Sequence, residues 1–318
     1  MQAMIITGFG GPEVFKQAEV EMPAPGPNEL LVKVVATSVN PVDYKVRQAG
    51  SWTGLKMPAI IGWDVSGVVE EAGSEVGDFK PGDEVYYSPS ILGGPGTYAE
   101  YHVVPASLAA TKPANISHEQ AAGIPLAGET AWDALITRGR LQVGETVLIH
   151  GGSGGVGSLA VQIAKAAGAY VFTTSGKYNF DFVHSLGADR IIDYRSEDFV
   201  EIIQRETAGQ GVNLVLDTVG GEMAERDIQA AAMGGRIITI AGASGNFGPA
   251  QQKNLDFHSL SMQRARYKLD YLSKLIQRGQ LKPVVDSIMP LGEVSEAHRK
   301  LEAGGVKGKI ILSIADWK

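Results

Sequence analysis

The stretch Gly151-Gly152-Ser153-Gly154-Gly155-Val156-Gly157 carries the clearest chemistry in this sequence. Gly152, Gly154 and Gly157 satisfy the spacing G-x-G-x-x-G. An apolar strand candidate, Thr146–His150, precedes the run, and a helix candidate, Val156–Ala167, follows it. In that setting one glycine permits a tight turn and a second lets the backbone approach a pyrophosphate. The third lets helix and strand pack closely, and the helix's first amides face the phosphates. The spacing alone is a weak signal in a glycine-rich chain, where many matches are only turns. The order strand, turn, helix and the further strand–helix units downstream supply the context the motif needs. Gly152, Ser153, Gly154, Gly155, Val156 and Gly157 are therefore candidate dinucleotide-binding residues.

The end of the second strand bears on which dinucleotide. A site for NAD usually places Asp or Glu about 20 residues on, bound to the ribose hydroxyls. Here that stretch reads Thr173-Thr174-Ser175-Gly176-Lys177-Tyr178-Asn179, and its first acid is Asp181. Ser175 and Lys177 stand instead and suit a 2′-phosphate. Lys177 taken alone is equally a solvated loop charge. The missing acid carries more information and favours NADPH.

These residues need elements to hold them. From Met1 to about Pro113 the texture is short and β-like, with strand candidates at Leu30–Ala36, Val65–Glu70, Glu84–Tyr87 and Thr97–Val104. Turn clusters such as Lys80-Pro81-Gly82-Asp83 separate them, which suggests a small barrel or sandwich. Ser117-His118-Glu119-Gln120 reads as a capping box, opening an apolar helical stretch towards Leu135 that Pro125 interrupts. From Thr146 strands and helices alternate. The strands are Thr146–His150, Tyr170–Thr174, Arg190–Asp193, Val212–Asp217 and Arg236–Ala241. Helices are expected at Val156–Ala167, Phe180–Leu186, Ser196–Thr207 and Glu222–Met233. Such alternation predicts an α/β fold with a doubly wound parallel sheet. A charged helix (Lys268–Arg278) and two short strands (Val284–Met289, Lys309–Ile314) end the sequence. They are too little for a core of their own, so they should fold back onto the first domain. The expected division is 1–120, 121–262 and a return segment 263–318.

Composition excludes several classes. The 318 residues include no cysteine, which removes disulfides, a thiol nucleophile and any cysteine-held metal or cluster. Net charge is −7, against a nucleic-acid-binding domain. Forty residues are glycine, well above the usual share of about 7%. No apolar run is long enough to span a membrane, and the start MQAMIITGFGG has no basic segment followed by an apolar one. A cytoplasmic protein with no membrane partner is expected. The basic cluster Arg264-Ala265-Arg266-Tyr267-Lys268 is read as a solvated helix face.

Further stretches are Asn40-Pro41-Val42-Asp43, Gly62-Trp63-Asp64-Val65-Ser66-Gly67, Lys80-Pro81-Gly82-Asp83-Glu84-Val85, Gly96-Thr97-Tyr98-Ala99-Glu100-Tyr101 and the run from Gly144 to Lys165. Together with the glycine turn they resemble the medium-chain dehydrogenase/reductase superfamily, in its zinc-free, zeta-crystallin-like quinone-reductase branch, over essentially the whole chain. The resemblance implies a Rossmann domain and a GroES-like, mostly β catalytic domain. Zinc-dependent relatives carry a catalytic cysteine within the stretch Asn40–Asp43 and Gly-His-Glu at Gly62-Trp63-Asp64. This chain has neither ligand, and its six histidines show no metal-ligand spacing, so no metal is expected. What remains is hydride transfer from NADPH to an already electrophilic small molecule, a quinone or an α,β-unsaturated carbonyl. Reduction of a ketone or aldehyde without metal is the alternative activity. A nucleotide-binding protein with a structural or RNA-associated role is the non-enzymic one.

The resemblance also places individual residues. It puts Asn40 against the nicotinamide ribose or the acceptor carbonyl and Thr130 near the nicotinamide. Tyr194 would flank the adenine end, and Lys309 would approach the cofactor from the catalytic domain. Thr218, Val219, Ala241 and Gly242 lie at the C-terminal ends of later strands, where doubly wound sheets bind ligands. Tyr44 stands one position earlier than the tyrosine of many quinone reductases. It can polarise a carbonyl, relay a proton or simply pack inside. Pairing along the edge of the cofactor sheet would make a homodimer.

Overall fold

A computed structural model describes residues 1–314 and divides the chain into two units. The first comprises Met1–Leu126, Arg264–Gln277 and the chain from Pro283 onward; the second comprises Ala127–Gln263 and Arg278–Lys282. The expected return segment, 263–318, is counted mostly with the first unit, and its last four positions lie outside the described residues.

Among the described residues the first unit holds a seven-stranded sheet. Its path is Val285–Pro290, Lys309–Ser313, Glu29–Val39, Val65–Ala72, Glu84–Tyr87 and Ala110–Thr111, with Tyr101–Pro105 also paired to Glu29–Val39. A second sheet orders Phe15–Glu19, Gln2–Ile6 and Ala59–Ile60. The long Glu29–Val39 strand is the hub. Its far end pairs antiparallel with Lys309–Ser313, Val39 opposite Ile310, which brings Lys309 beside Asn40. The chain then enters the helix Pro41–Ala49, which the sequence reading did not identify. Pro41 suits a first helical position, since its missing N–H would be unpaired there anyway. Asp43 closes the end by accepting the Asn40 amide at 2.8 Å.

The second unit is built on a parallel sheet ordered Arg190–Asp193, Tyr170–Ser175, Thr146–Ile149, Val212–Asp217, Ala231–Thr239 and Asp256–Ser259. Numbered along the chain this is 3-2-1-4-5-6, the Rossmann order, and the order reverses beside Thr146–Ile149. Leu148, Phe172, Ile192, Val215 and Ile237 from the strands pack with Phe199, Ile203 and Ile228 from the helices. Both faces of the central strands are covered, so those strands read as continuous apolar runs.

Three elements differ from expectation for local reasons. The helix expected over Glu222–Met233 spans Met223–Ala230, and the strand after it starts at Ala231 and carries Gly234 at φ +69°. Two adjacent glycines are poor helix formers. The strand expected over Thr97–Val104 is Tyr101–Pro105. Gly96 and Tyr98 instead donate to Ile60 and Ile61, and a Cβ at Gly96 would lie 2.2 Å from the Ile61 backbone. The apolar helix towards Leu135 is split at Gly123–Ile124 into His118–Ala122 and Pro125–Trp132, then widens into a π-helical turn, Asp133–Arg138. The capping box forms as expected, Ser117 Oγ accepting from Gln120 N and Gln120 Oε1 from Ser117 N. No helix among the described residues is long and apolar enough to cross a membrane.

Candidate active site

In the second unit the strand Thr146–Ile149 ends in the glycine turn, and the helix Gly155–Ala166 begins from it with Gly154 at the cap. Gly151 sits at φ +68°, in the region that favours glycine. A Cβ on Gly157 would stand 2.1 Å from the Gly151 carbonyl oxygen, so helix and turn meet with no space for a side chain. At Gly152 the obstacle would be Thr173 Oγ1, 2.2 Å away. Gly154, by contrast, has only one neighbour, at 3.4 Å. The amides of the first helical turn, Gly155, Val156 and Gly157, have no intrahelical carbonyl to bond and carry the positive end of the helix dipole. Ser153 and these residues therefore form a donor cradle suited to a diphosphate.

The neighbouring strand ends complete the rim. Asp217 Oδ1 accepts the amides of Val219 and Gly220 at 2.8 and 2.9 Å, fixing that loop. Gly221 N donates to Gly242 O at 3.1 Å, tying it to the Ala241–Gly242 loop. Thr218 Oγ1 donates to the His150 carbonyl, while Val219 is exposed. At the end of the second strand Lys177 is exposed, but Ser175 is buried, its Oγ reaching only its neighbour's carbonyl at 3.5 Å. Sequence reading missed Arg195. Its guanidinium lies 5.5 Å from the Tyr178 ring centroid and 5.2 Å from that of Tyr194, and both tyrosines are more than half exposed. That puts Arg195 and two exposed rings beside the end of the second strand. The acid that pairs with Ser175 there, Asp193, belongs to the third strand and is buried, accepting from Arg195 N and Ser196 Oγ. The signal was present in the sequence as Tyr194-Arg195 directly after the third strand. Thr130 is buried in the helix Pro125–Trp132.

The first unit holds a buried polar cluster around Asp64. Its Oδ2 accepts from Ser38 Oγ at 2.5 Å and Asn40 Nδ2 at 2.7 Å, with Lys309 Nζ at 3.4 Å; its Oδ1 accepts from Leu126 N at 2.7 Å. Lys309 Nζ also donates to Asn40 Oδ1. Asp64 and Asn40 are at most 2% exposed. Behind Asn40 runs a second chain of bonds. Arg47, a donor only, bonds His298 Nδ1 at 3.1 Å, so His298 carries its proton on Nε2 and donates to Tyr98 OH at 3.2 Å. Tyr98 in turn donates to Asp43 Oδ2 at 2.8 Å. Burial pushes the Asp43 carboxyl up to about 7, against the Asn40 amide, the Tyr98 hydroxyl and Lys309, which favour its anion. Burial and Arg47 push His298 down to about 3, in keeping with its neutral role. Tyr44, on the same helix as Asp43, is half-buried, and its hydroxyl makes no hydrogen bond among the described residues.

The basic cluster of the 264–268 stretch is not a solvated face. Lys268 is buried, and Arg266 is spent on Asp78 and on the Phe79 ring, 4.7 Å away. Trp63 is fully buried, whereas Trp52 is 59% exposed.

Two family profiles match the chain, an alcohol dehydrogenase GroES-like domain over residues 26–114 and a zinc-binding dehydrogenase over residues 186–312. Among curated proteins, an NADPH-dependent alkenal/one oxidoreductase of Arabidopsis thaliana chloroplasts is 35% identical over 98% of this chain and 79% of its own. A quinone oxidoreductase of Sus scrofa is 32% identical over 98% and 97%. Among solved structures, an NAD-dependent alcohol dehydrogenase superimposes with a TM-score of 0.93 at 35% identity, covering 99% of this chain and 100% of that one. The Escherichia coli quinone oxidoreductase complexed with NADPH gives 0.89 at 32% identity, with the same coverage.

Proposed function

This chain belongs to the medium-chain dehydrogenase/reductase superfamily, among its quinone and alkenal/one oxidoreductases, and from that membership we propose an NADPH-dependent reductase of quinones or α,β-unsaturated carbonyls that works without zinc. The observation that carries the reading is the pairing of a glycine cradle with a second strand that ends without an acid of its own, followed at once by exposed Lys177, with Arg195 against the Tyr178 ring. NADPH, when bound, supplies the hydride. Gly152–Gly157 would hold its diphosphate, Lys177 and Arg195 its 2′-phosphate, and Tyr178 or Tyr194 its adenine. The Thr218–Val219 and Ala241–Gly242 loops would edge it, and Thr130 is assigned to the nicotinamide end. The preference for the phosphorylated nucleotide rests on charge, because a 2′-phosphate beside two cations replaces the usual carboxylate.

In the other unit the amide of Asn40 and the ammonium of Lys309 form one rigid group. Asp64 neutralises Lys309 and orients Asn40, so both stay put while charge develops on an acceptor oxygen. Tyr44 is assigned to the acceptor side because its hydroxyl is unspent. Quinones and enones need little activation beyond such positioning.

Zinc independence rests on the donor set. Asn40 is not a thiolate, Trp63 offers no lone pair for a metal and is buried, and Asp64 already accepts from Ser38, Asn40, Lys309 and Leu126. Among the described residues no three His, Cys, Asp or Glu side chains gather as a metal site. The Asp256–Ser259 strand, paired on one side only, supports a homodimer formed along that edge. A cytoplasmic location agrees with the cysteine-free composition. The deciding experiment follows NADPH oxidation with quinones, enones and aldehydes side by side. Turnover of the first two classes is expected; tight nucleotide binding with no turnover on any of them would sink the proposal.

A further inference from the structure

We propose that His150 is a positioning residue for the nucleotide turn: it locks the hydroxyl of Thr174, and Thr174 in turn holds the amides of Gly151 and Gly152. The proposal rests on the reading that this turn binds a dinucleotide.

His150 is the residue immediately before the glycines and is 1% exposed. Its Nε2 lies 2.8 Å from Oδ1 of Asp227, which is fully buried. Its Nδ1 lies 3.1 Å from Thr174 Oγ1, and that same oxygen accepts the Gly151 amide at 3.1 Å. The carbonyl of Thr174 accepts the next amide, Gly152, at 3.0 Å. One threonine thus fixes two consecutive peptide groups of the turn, one by its side chain and one by its backbone.

Counting protons assigns the tautomer. Thr174 Oγ1 has a single proton, and with its oxygen facing the Gly151 N–H that proton must point elsewhere. His150 Nδ1 is the acceptor within reach, so Nδ1 is unprotonated, and Nε2 carries the proton given to Asp227. In the opposite tautomer Nδ1–H and Gly151 N–H would converge on one oxygen and leave the threonine proton unpaired in a buried place, at the cost of about one hydrogen bond. Asp227 therefore selects the ring form that holds the hydroxyl.

The ring has no freedom to do otherwise. Phe199 meets it edge-on, with centroids 4.8 Å apart, and the Arg226 guanidinium caps Phe199 at 4.5 Å. Thr218 Oγ1 holds the His150 carbonyl at 2.8 Å. Residues of three neighbouring strand ends are thereby bonded to each other directly beneath the cradle. A cradle fixed in this way meets a diphosphate with its amides already placed, so less order is lost on binding.

The test uses the full-length protein and four variants. Asparagine puts an acceptor where the imidazole Nδ1 lies; glutamine reaches only to the Nε2 position. We expect His150→Asn and Thr174→Ser to bind NADPH within about threefold of the parent, and His150→Gln and Thr174→Val to bind about tenfold more weakly, the loss expected for one hydrogen bond. The loss should fall on KM for NADPH rather than on kcat, at matched thermal midpoints. Independently of any variant, the ring 15N shifts of His150 should show a neutral Nε2–H tautomer; an imidazolium or an Nδ1–H form overturns the proposal. If the parent binds nucleotide and all four variants bind alike, the His150 role fails while the cofactor reading stands. If the parent binds neither nicotinamide nucleotide, both fall.

Discussion

The ammonium of Lys309 and the carboxylate of Asp64 form a buried ion pair at 3.4 Å that meets on the side chain of Asn40. Lys309 and Asn40 lie 269 positions apart in sequence. The pair exists because the strand Lys309–Ser313 docks on the end of Glu29–Val39.

Removing one charge should leave the other buried and unpaired. Lys309→Met is expected to cost about 3–5 kcal/mol of stability, read by urea denaturation. The double variant Lys309→Met/Asp64→Asn should recover part of that loss, since no charge then remains uncompensated. Equal losses in the single and double variants would show that the two groups do not act as a pair.

Nucleotide choice should depend on two cations. Lys177→Ala and Arg195→Ala are each expected to raise KM for NADPH by about tenfold, one charge-assisted hydrogen bond. KM for NADH should barely change. Steady-state kinetics with both nucleotides measures this, and parallel effects on the two would remove the 2′-phosphate role.

The close approach at Gly157 makes a sharper test of the cradle. With a Cβ placed 2.1 Å from the Gly151 oxygen, Gly157→Ala must push the helix away from the turn. Binding of NADPH should be lost, or weakened by about two orders of magnitude or more, given that this side chain would enter the densest part of the motif. Gly154→Ala, with its nearest neighbour at 3.4 Å, should fold and bind more nearly as the parent. Isothermal titration of both variants distinguishes them.

Asp43 should write itself into the pH dependence of stability. Its folded carboxyl titrates at about 7 because burial disfavours the anion, whereas the unfolded group titrates in the ordinary carboxylate range. Between those values the native state holds a proton that the unfolded state has released. Stability from this group therefore falls as pH rises from about 4 to about 7. Asp43→Asn keeps an acceptor for the Asn40 amide and the Tyr98 hydroxyl and cannot ionise. Its stability should decline less over that window, leaving it ahead of the parent at pH 8 by at least about 1 kcal/mol. Denaturation midpoints at pH 5 and 8 for the two proteins give the answer. Identical pH slopes would mean that Asp43 is already ionised throughout.

Chelation is the plainest check on zinc. Activity is expected to survive prolonged dialysis against a strong chelator, and elemental analysis of the purified protein should find no stoichiometric zinc.

Periodicity and turn chemistry carried the second unit. Each strand of its sheet up to Val212–Asp217 was legible as a compact apolar run between turn residues, because parallel strands buried on both faces need nothing but apolar side chains. The glycine turn was legible too, since its tightest constraint is local: a Cβ at Gly157 would meet the carbonyl of Gly151, six residues back. The helix Pro41–Ala49 escaped notice, being short and only weakly apolar on its face, and the edge strand Asp256–Ser259 has little to mark it. The basic 264–268 stretch was misjudged because a lysine's burial depends on what lies over it, not on its neighbours in the chain.

By itself, then, the amino-acid order determined a glycine turn between a strand and a helix, a second strand followed by no acid before Asp181, and a chain without a thiolate. Those are properties of residue type and short spacing. Only the tertiary structure decided that Asn40, Asp64 and Lys309 share one hydrogen-bonded cluster, that Arg195 joins the tyrosines at the strand end, and that His150 and Asp227 brace the turn from below. Contacts between residues tens to hundreds of positions apart are set by strand order and register, which no local pattern of side chains encodes.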